Sequence, residues 1–191
     1  MKYTVAISAI IFTVGFVMLP MVWSDSGFKF EEFEEYERRS TGVAMVTNPV
    51  YQEECGSCHM AYPPGLLASS SWSRLMSGLE EHFGDNAELD AETHQSVSQY
   101  LLANSADRSD YRRSHKFNRY DNAHDEPLRI IERITETPYF RHEHDEIPKR
   151  LVSDNPQVTS FSHCNACHTK AEQGSFNEHD IRIPGFGRWD D

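Results

Sequence analysis

Two short runs govern what this chain can fold into: Cys55-Gly56-Ser57-Cys58-His59, and again Cys164-Asn165-Ala166-Cys167-His168. On a helix, positions i, i+3 and i+4 share one face, so the two thiols and the imidazole of each run point at one ligand. C-x-x-C-H is the attachment pattern of a c-type haem, in which the thiols become thioethers to the macrocycle and the imidazole coordinates its iron. Three other uses of four cysteines compete. Disulfides suit an exported chain, two C-x-x-C pairs suit zinc, and one C-x-x-C suits a redox dithiol. The pairs stand much further apart than the roughly 15–20 residues of a zinc ribbon. None of the three needs His directly after the second Cys. Here it follows both times, among only 10 His in 191 residues, and no cysteine is left over. The sequence therefore predicts two covalent haems c on Cys55, Cys58, Cys164 and Cys167, with His59 and His168 each on an iron.

Such groups would help a chain with a thin apolar core: 38% of residues are hydrophobic and 25% are charged. The formal net charge of −12 makes nucleic acid a poor partner and favours either a docking partner with a basic patch or simple solubility.

Lys2 precedes an apolar run from Tyr3 to Trp23. Residues 1–24 read as a signal peptide, with a small-residue cleavage site ending at Ser24 that is not a clean A-x-A. The alternative is a membrane anchor through residues 3–23, since the run matches the roughly 20 residues that span a bilayer. Either way the rest of the chain lies outside the cytoplasmic membrane, in the periplasm, soluble after cleavage or tethered. Residues 25–42 are an acidic linker in which Glu31, Glu32, Glu34, Glu35 and Glu37 interleave with aromatics.

Residues 43–105 read as the first haem domain, with three helices and no strand pattern. Asn48-Pro49 opens the first, with Tyr51, Cys55, Cys58 and His59 on its inner face, and Tyr62-Pro63-Pro64-Gly65 stops it. Ser71 caps the second, where Trp72, Leu75, Met76, Leu79 and Phe83 form an amphipathic stripe ended by Gly84. The third starts near Asp90, carries Val97, Tyr100 and Leu101, and fades at Asn104. Residues 106–126 read as a charged connector whose arginines face solvent or neutralise propionates. Residues 127–191 form the second haem domain: a short helix from Pro127 through Leu128, Ile131 and Ile134 to Thr137-Pro138, then the second motif and an irregular tail.

The sixth ligand of each iron decides the chemistry. Met raises the potential, a second His lowers it, and an open face permits ligand binding or catalysis. For the first iron the candidates are His82, Met76 and His94. His82 is preferred because it ends a helix just before Gly84-Asp85-Asn86, whereas Met76 sits in an apolar stripe where Met is usually packing. For the second iron the pool is His142, His144, His179, His124, His115 and His163. His144 is preferred, then His179, then His142.

The chain resembles the bacterial dihaem cytochromes c, electron-transfer partners of a haem protein of photosynthetic bacteria. The resemblance runs from about Asn48 to Pro184. It rests on Asn48-Pro49 before the first motif, on Leu66 to Trp72, on His82-Phe83-Gly84-Asp85-Asn86-Ala87, on Ile134 to Pro138 with His144, and on Cys164 to His168 followed by Ile181-Arg182-Ile183-Pro184. It implies a mostly α protein of two small haem-binding domains, the first similar to a class I cytochrome c and the second an irregular helical fold of its own. It also implies low-potential haems ligated by His. His82 stands where class I topology puts the sixth ligand, ahead of the final helix. The function expected is electron carriage between redox proteins, another haem protein and a membrane b-type cytochrome among them. The alternative is a peroxidase-like enzyme or gas sensor with one open coordination site.

Overall fold

The computed structural model describes Tyr36, residues 41–121 and residues 130–189. The apolar N-terminal run, most of the acidic stretch 25–42, His124 and the start of the helix expected at Pro127 lie outside the described residues. Among the described residues the chain is mostly helical, with one two-stranded antiparallel hairpin as its sheet.

Helix α1 (Pro49–Cys55) begins as the sequence predicts: the Asn48 side chain accepts from the Tyr51 N–H at 2.9 Å and Pro49 fills the first turn. It ends sooner than predicted, with Gly56 as its cap. Cys55 therefore lies in the last helical turn, and Cys58 and His59 lie in the turn beyond it. The segment that follows is pinned from two sides. The Tyr51 hydroxyl donates to the Tyr62 carbonyl at 2.8 Å, and the Trp72 indole donates to the Pro64 carbonyl at 2.8 Å.

Helix α2 (Ser69–Met76) starts two residues before the expected Ser71 cap and does not reach Phe83. Its first turn is satisfied from a distance: Asp107 accepts from the Ser69 N–H and hydroxyl, both at 2.7 Å. Ser77 and Gly78 stop it, and a 3-10 turn (Leu79–Glu81) carries the apolar stripe only as far as Leu79. Phe83 departs from that stripe. It adopts φ 59°, is 45% exposed, and lies under the Arg133 guanidinium at 3.8 Å. Helix α3 (Ala91–Ala103) is capped by Asp90, which accepts from the Glu92 and Thr93 N–H groups, and it buries Val97 and Leu101.

The stretch read as a charged connector holds helix α4 (Arg112–Asp121). Its Ser114 and Phe117 are buried, and the Phe117 ring meets Tyr139 edge to face at 4.9 Å. Arg113 is a structural tie rather than a solvated cation. It donates to the Thr41 carbonyl at 2.8 Å, the Tyr139 hydroxyl at 3.0 Å and the Phe176 carbonyl at 3.2 Å. Thr137 and Pro138 begin a helix instead of ending one: in α5 (Pro138–His144) the Thr137 hydroxyl accepts from the Phe140 N–H at 3.2 Å. The second motif makes the one-turn helix α6 (Cys164–Cys167), followed by β1 (Arg182–Ile183) paired with β2 (Gly187–Arg188).

The larger core cluster joins both halves of the chain, with Val43, Trp72 and Leu101 packed in one body with Phe117, Tyr139 and Phe140. A smaller cluster holds Leu151, Val152, Val158 and Ile183, and Phe161 packs against both. Val43 closes the circuit by donating to the Gly174 carbonyl at 2.9 Å.

Candidate functional site

The fold makes two sites of one design. At the first, His59 from the turn beyond α1 faces His82 from the turn before α3, with ring centres 6.4 Å apart and planes 32° apart. At the second, His168 beyond α6 faces His144 at the end of α5, with ring centres 6.1 Å apart and planes at 68°. A metal with bonds of about 2 Å to one nitrogen of each of two facing imidazoles sets their ring centres roughly 6 Å apart. Both pairs have that spacing, and each lies beside its C-x-x-C pair.

The rings are oriented by the main chain. His59 Nδ1 bonds the Met60 carbonyl and His144 Nδ1 bonds the Phe140 carbonyl, both at 2.8 Å. Each bond engages Nδ1 and leaves Nε2 as the nitrogen for a metal. The His144 ring also stacks on Phe140 at 3.9 Å and 10°. His168 Nδ1 is buried without a hydrogen-bond partner. Such atoms are uncommon and fit a ring whose surroundings are completed by a group other than protein.

Burial favours the neutral, metal-binding form of His82, His144 and His168. It pushes His168 down to about 4, with His144 and Arg113 adding to the effect. It lowers His144, partly offset by the bond to the Phe140 carbonyl. It also lowers His82, with His59 and Arg133 in support. Burial also favours the neutral form of Cys55 and Cys164, raising each to about 11.

No disulfide joins the four cysteines. Among the described residues no group of three or more His, Cys, Asp and Glu side chains converges as a metal cage. A pair of imidazoles without further protein ligands fits a metal whose in-plane ligands belong to a macrocycle, and the adjacent thiols fit its attachment. The second site has room for one: a cavity of about 460 Å³ is lined by Cys164, Cys167, His168, His144, Phe161 and Arg113. At the first, Cys58 is exposed and His59 and His82 are half-buried.

The other ligand candidates are placed elsewhere. Met76 is packed in the core. His94 Nε2 is bonded to the Met76 carbonyl at 2.8 Å. His142, His179 and His115 are exposed, and His163 Nδ1 is taken by the Val158 carbonyl at 2.6 Å. Aromatic rings pack beside both sites, and of these Phe176 carried no mark in the sequence. Tyr62 stacks on His59 at 4.6 Å, and Phe176 and Phe161 flank the second pair at 5.2 Å from His168 and 5.8 Å from His144. The sequence marks Tyr62 only as the start of the turn that stops the first helix.

The profile of the dihaem cytochrome c family matches residues 51–176. Among solved structures, the chain is similar to the dihaem c-type cytochrome of Shewanella baltica, with 42% identity, a TM-score of 0.62, and coverage of 76% of this chain and 100% of that one. It is likewise similar to a dihaem cytochrome c from Rhodobacter sphaeroides, with 39% identity, a TM-score of 0.59, and coverage of 69% and 98%. No curated protein matches by sequence.

Proposed function

The chain belongs to the dihaem cytochrome c family, which brings two covalent c-type haems and haem-based electron transfer, and from that premise we propose a one-electron relay with both irons held between two imidazoles. Cys55 and Cys58 would hold the first macrocycle, with His59 and His82 on its axis. Cys164 and Cys167 would hold the second, with His168 and His144. The spacing of the two imidazole pairs, 6.4 Å and 6.1 Å, carries this reading.

When bound, each haem supplies an Fe(III)/Fe(II) couple. The polypeptide's part is to hold the imidazoles still, so that little rearranges when the charge changes. The Met60 and Phe140 carbonyls do this for His59 and His144. With His59 and His82 on one iron and His168 and His144 on the other, neither would have a face left for a substrate, which favours a carrier over a peroxidase-like enzyme. Imidazole on both faces also sets low potentials, since it is the thioether of Met that raises them.

The relay works outside the cytoplasmic membrane, with the apolar N-terminal run as signal or tether. Among the described residues no helix is long and apolar enough to cross a membrane. The charge of −12 suits redox partners with basic docking patches, such as another haem protein or a membrane b-type cytochrome. Carbon monoxide added to the fully reduced protein tests the reading. The Soret band is expected to stay in place; a shift at sub-stoichiometric gas means an open face and the runner-up enzyme or sensor. Colour that remains with the protein after acid-acetone extraction separates covalent haem from any zinc or disulfide scaffold.

A further inference from the structure

The two sites are joined by one side chain. The Tyr62 ring lies on His59, centres 4.6 Å apart and planes 22° apart. Its hydroxyl donates to the Ser162 carbonyl at 2.7 Å, across 100 residues of sequence. That same carbonyl oxygen is 3.7 Å from Cys164 Sγ. A ring stack, a hydrogen bond and one close contact thus run without a gap from the imidazole of one site to the sulfur of the other. Alkylation of the sulfur would end any S–H donation and leave the contact.

We propose that Tyr62 couples the two sites, positioning the second attachment sulfur against the first axial imidazole and serving as the bridge for electron transfer between them. The proposal rests on the two-haem reading above. In the step it serves, one electron leaves the Fe(II) on His59, which becomes Fe(III), and reduces the Fe(III) near Cys164 to Fe(II); the direction reverses with the driving force. Tyr62 is neither oxidised nor deprotonated.

The bridge is rigid by construction. The Tyr62 carbonyl accepts from Tyr51, and buried Pro63 and Pro64 follow it, with the Pro64 carbonyl held by Trp72. Contiguity alone is not coupling, so a rate must be measured.

The experiment uses the full-length protein loaded with both haems. Tyr62→Phe keeps the ring stack and removes the hydrogen bond; Tyr62→Leu removes both. One electron is injected by pulse radiolysis and its equilibration between the haems is followed, beside spectroelectrochemical titration of both potentials. Equilibration is expected to slow several-fold in Tyr62→Phe and by a larger factor in Tyr62→Leu. Both low-spin spectra and both potentials should stay at their wild-type values in Tyr62→Phe, which a merely structural loss would not allow. An unchanged rate in Tyr62→Phe overturns the hydroxyl bridge, and an unchanged rate in both variants overturns the coupling. A wild-type protein that holds fewer than two haems fails the earlier reading instead, before any variant is made.

Discussion

His144 is held twice by Phe140: its ring lies 3.9 Å from the phenyl ring at an angle of 10°, and its Nδ1 bonds the Phe140 carbonyl at 2.8 Å. One helical turn thus sets both the tilt and the rotation of the imidazole, whose ring faces His168. The first site has the same logic from different parts, with His59 fixed by the Met60 carbonyl and stacked on Tyr62. Replacing the ring that faces each motif His should therefore open one coordination position without releasing the thioethers. His82→Ala and His144→Ala are each expected to retain two covalent haems, to bind one equivalent of carbon monoxide when reduced, and to raise one potential. His94→Gln, at a ring already committed to the Met76 carbonyl, should leave spectrum and potentials unchanged. Carbon monoxide titration of the three variants checks the assignment.

The two sites differ in surroundings, and the difference predicts an order of potentials. The second imidazole pair is the more buried, sits in a cavity also lined by Arg113, and lacks a carbonyl acceptor at His168 Nδ1. Low dielectric and a nearby cation both disfavour the extra positive charge of Fe(III), and an imidazole without an acceptor donates less strongly to the metal. The first site opens to solvent at Cys58 and has the Met60 acceptor at His59. The potential of the second haem is expected to exceed that of the first. Redox titration of wild type beside His82→Ala, which marks the first haem by its altered spectrum, assigns the two waves.

How much of this could be read in the sequence depended on how local each determinant is. The Asn48 cap, the helix start at Asp90 and the buried faces of Val97 and Leu101 act within one helical turn, and each appears where the sequence predicts it, whereas Cys58 and His59 lie beyond the helix expected to carry them. Helix α4 was hidden because its buried residues, Ser114 and Phe117, are too few to make a stripe among charges. Helix α2 starts at Ser69 because its donor is met by Asp107, 38 residues away. Phe83 matched a helical period, but the chain turns at Ser77 and Gly78 and leaves that ring on the surface. The meeting of His59 with His82, and of His144 with His168, depends on the packing of whole elements. Spacing could nominate those residues but not bring them together.

Gly174 shows how tightly the ends of the described chain are closed on each other. Its φ is 75°, and a Cβ there would stand 2.4 Å from the Val43 carbonyl oxygen, a main-chain atom with little room to retreat. Gly174→Ala should cost about 1–2 kcal/mol for the left-handed conformation alone and more for the forced separation, which strains the Val43–Gly174 hydrogen bond. Gly187 is the control: its φ is 89°, yet a Cβ there meets nothing within 4 Å. Denaturant unfolding of the haem-loaded variants should show a larger loss for Gly174→Ala than for Gly187→Ala. Equal losses would mean that the contact with Val43 contributes nothing.

Asp107 supplies a pH-dependent part of the stability through the start of α2. Burial raises its pKa, but the hydrogen bonds from Ser69 and Ser105 outweigh that and hold it below the usual value. A carboxyl depressed in the folded state binds fewer protons there than in the unfolded chain, so its contribution is present above the unfolded value of about 3.9 and fades as pH falls through the folded one. The bonds to Ser69 take the place of a side-chain cap, which Ala68 does not provide, and such caps contribute about 1 kcal/mol. Asp107→Ala is expected to lose about that much at pH 7. The gap from wild type should narrow once the medium is more acidic than the folded-state pKa, where the wild-type carboxyl is itself protonated. Unfolding curves at neutral and at strongly acidic pH measure the gap; one that stays constant across that range would show that the ionised carboxylate is not what holds the helix start.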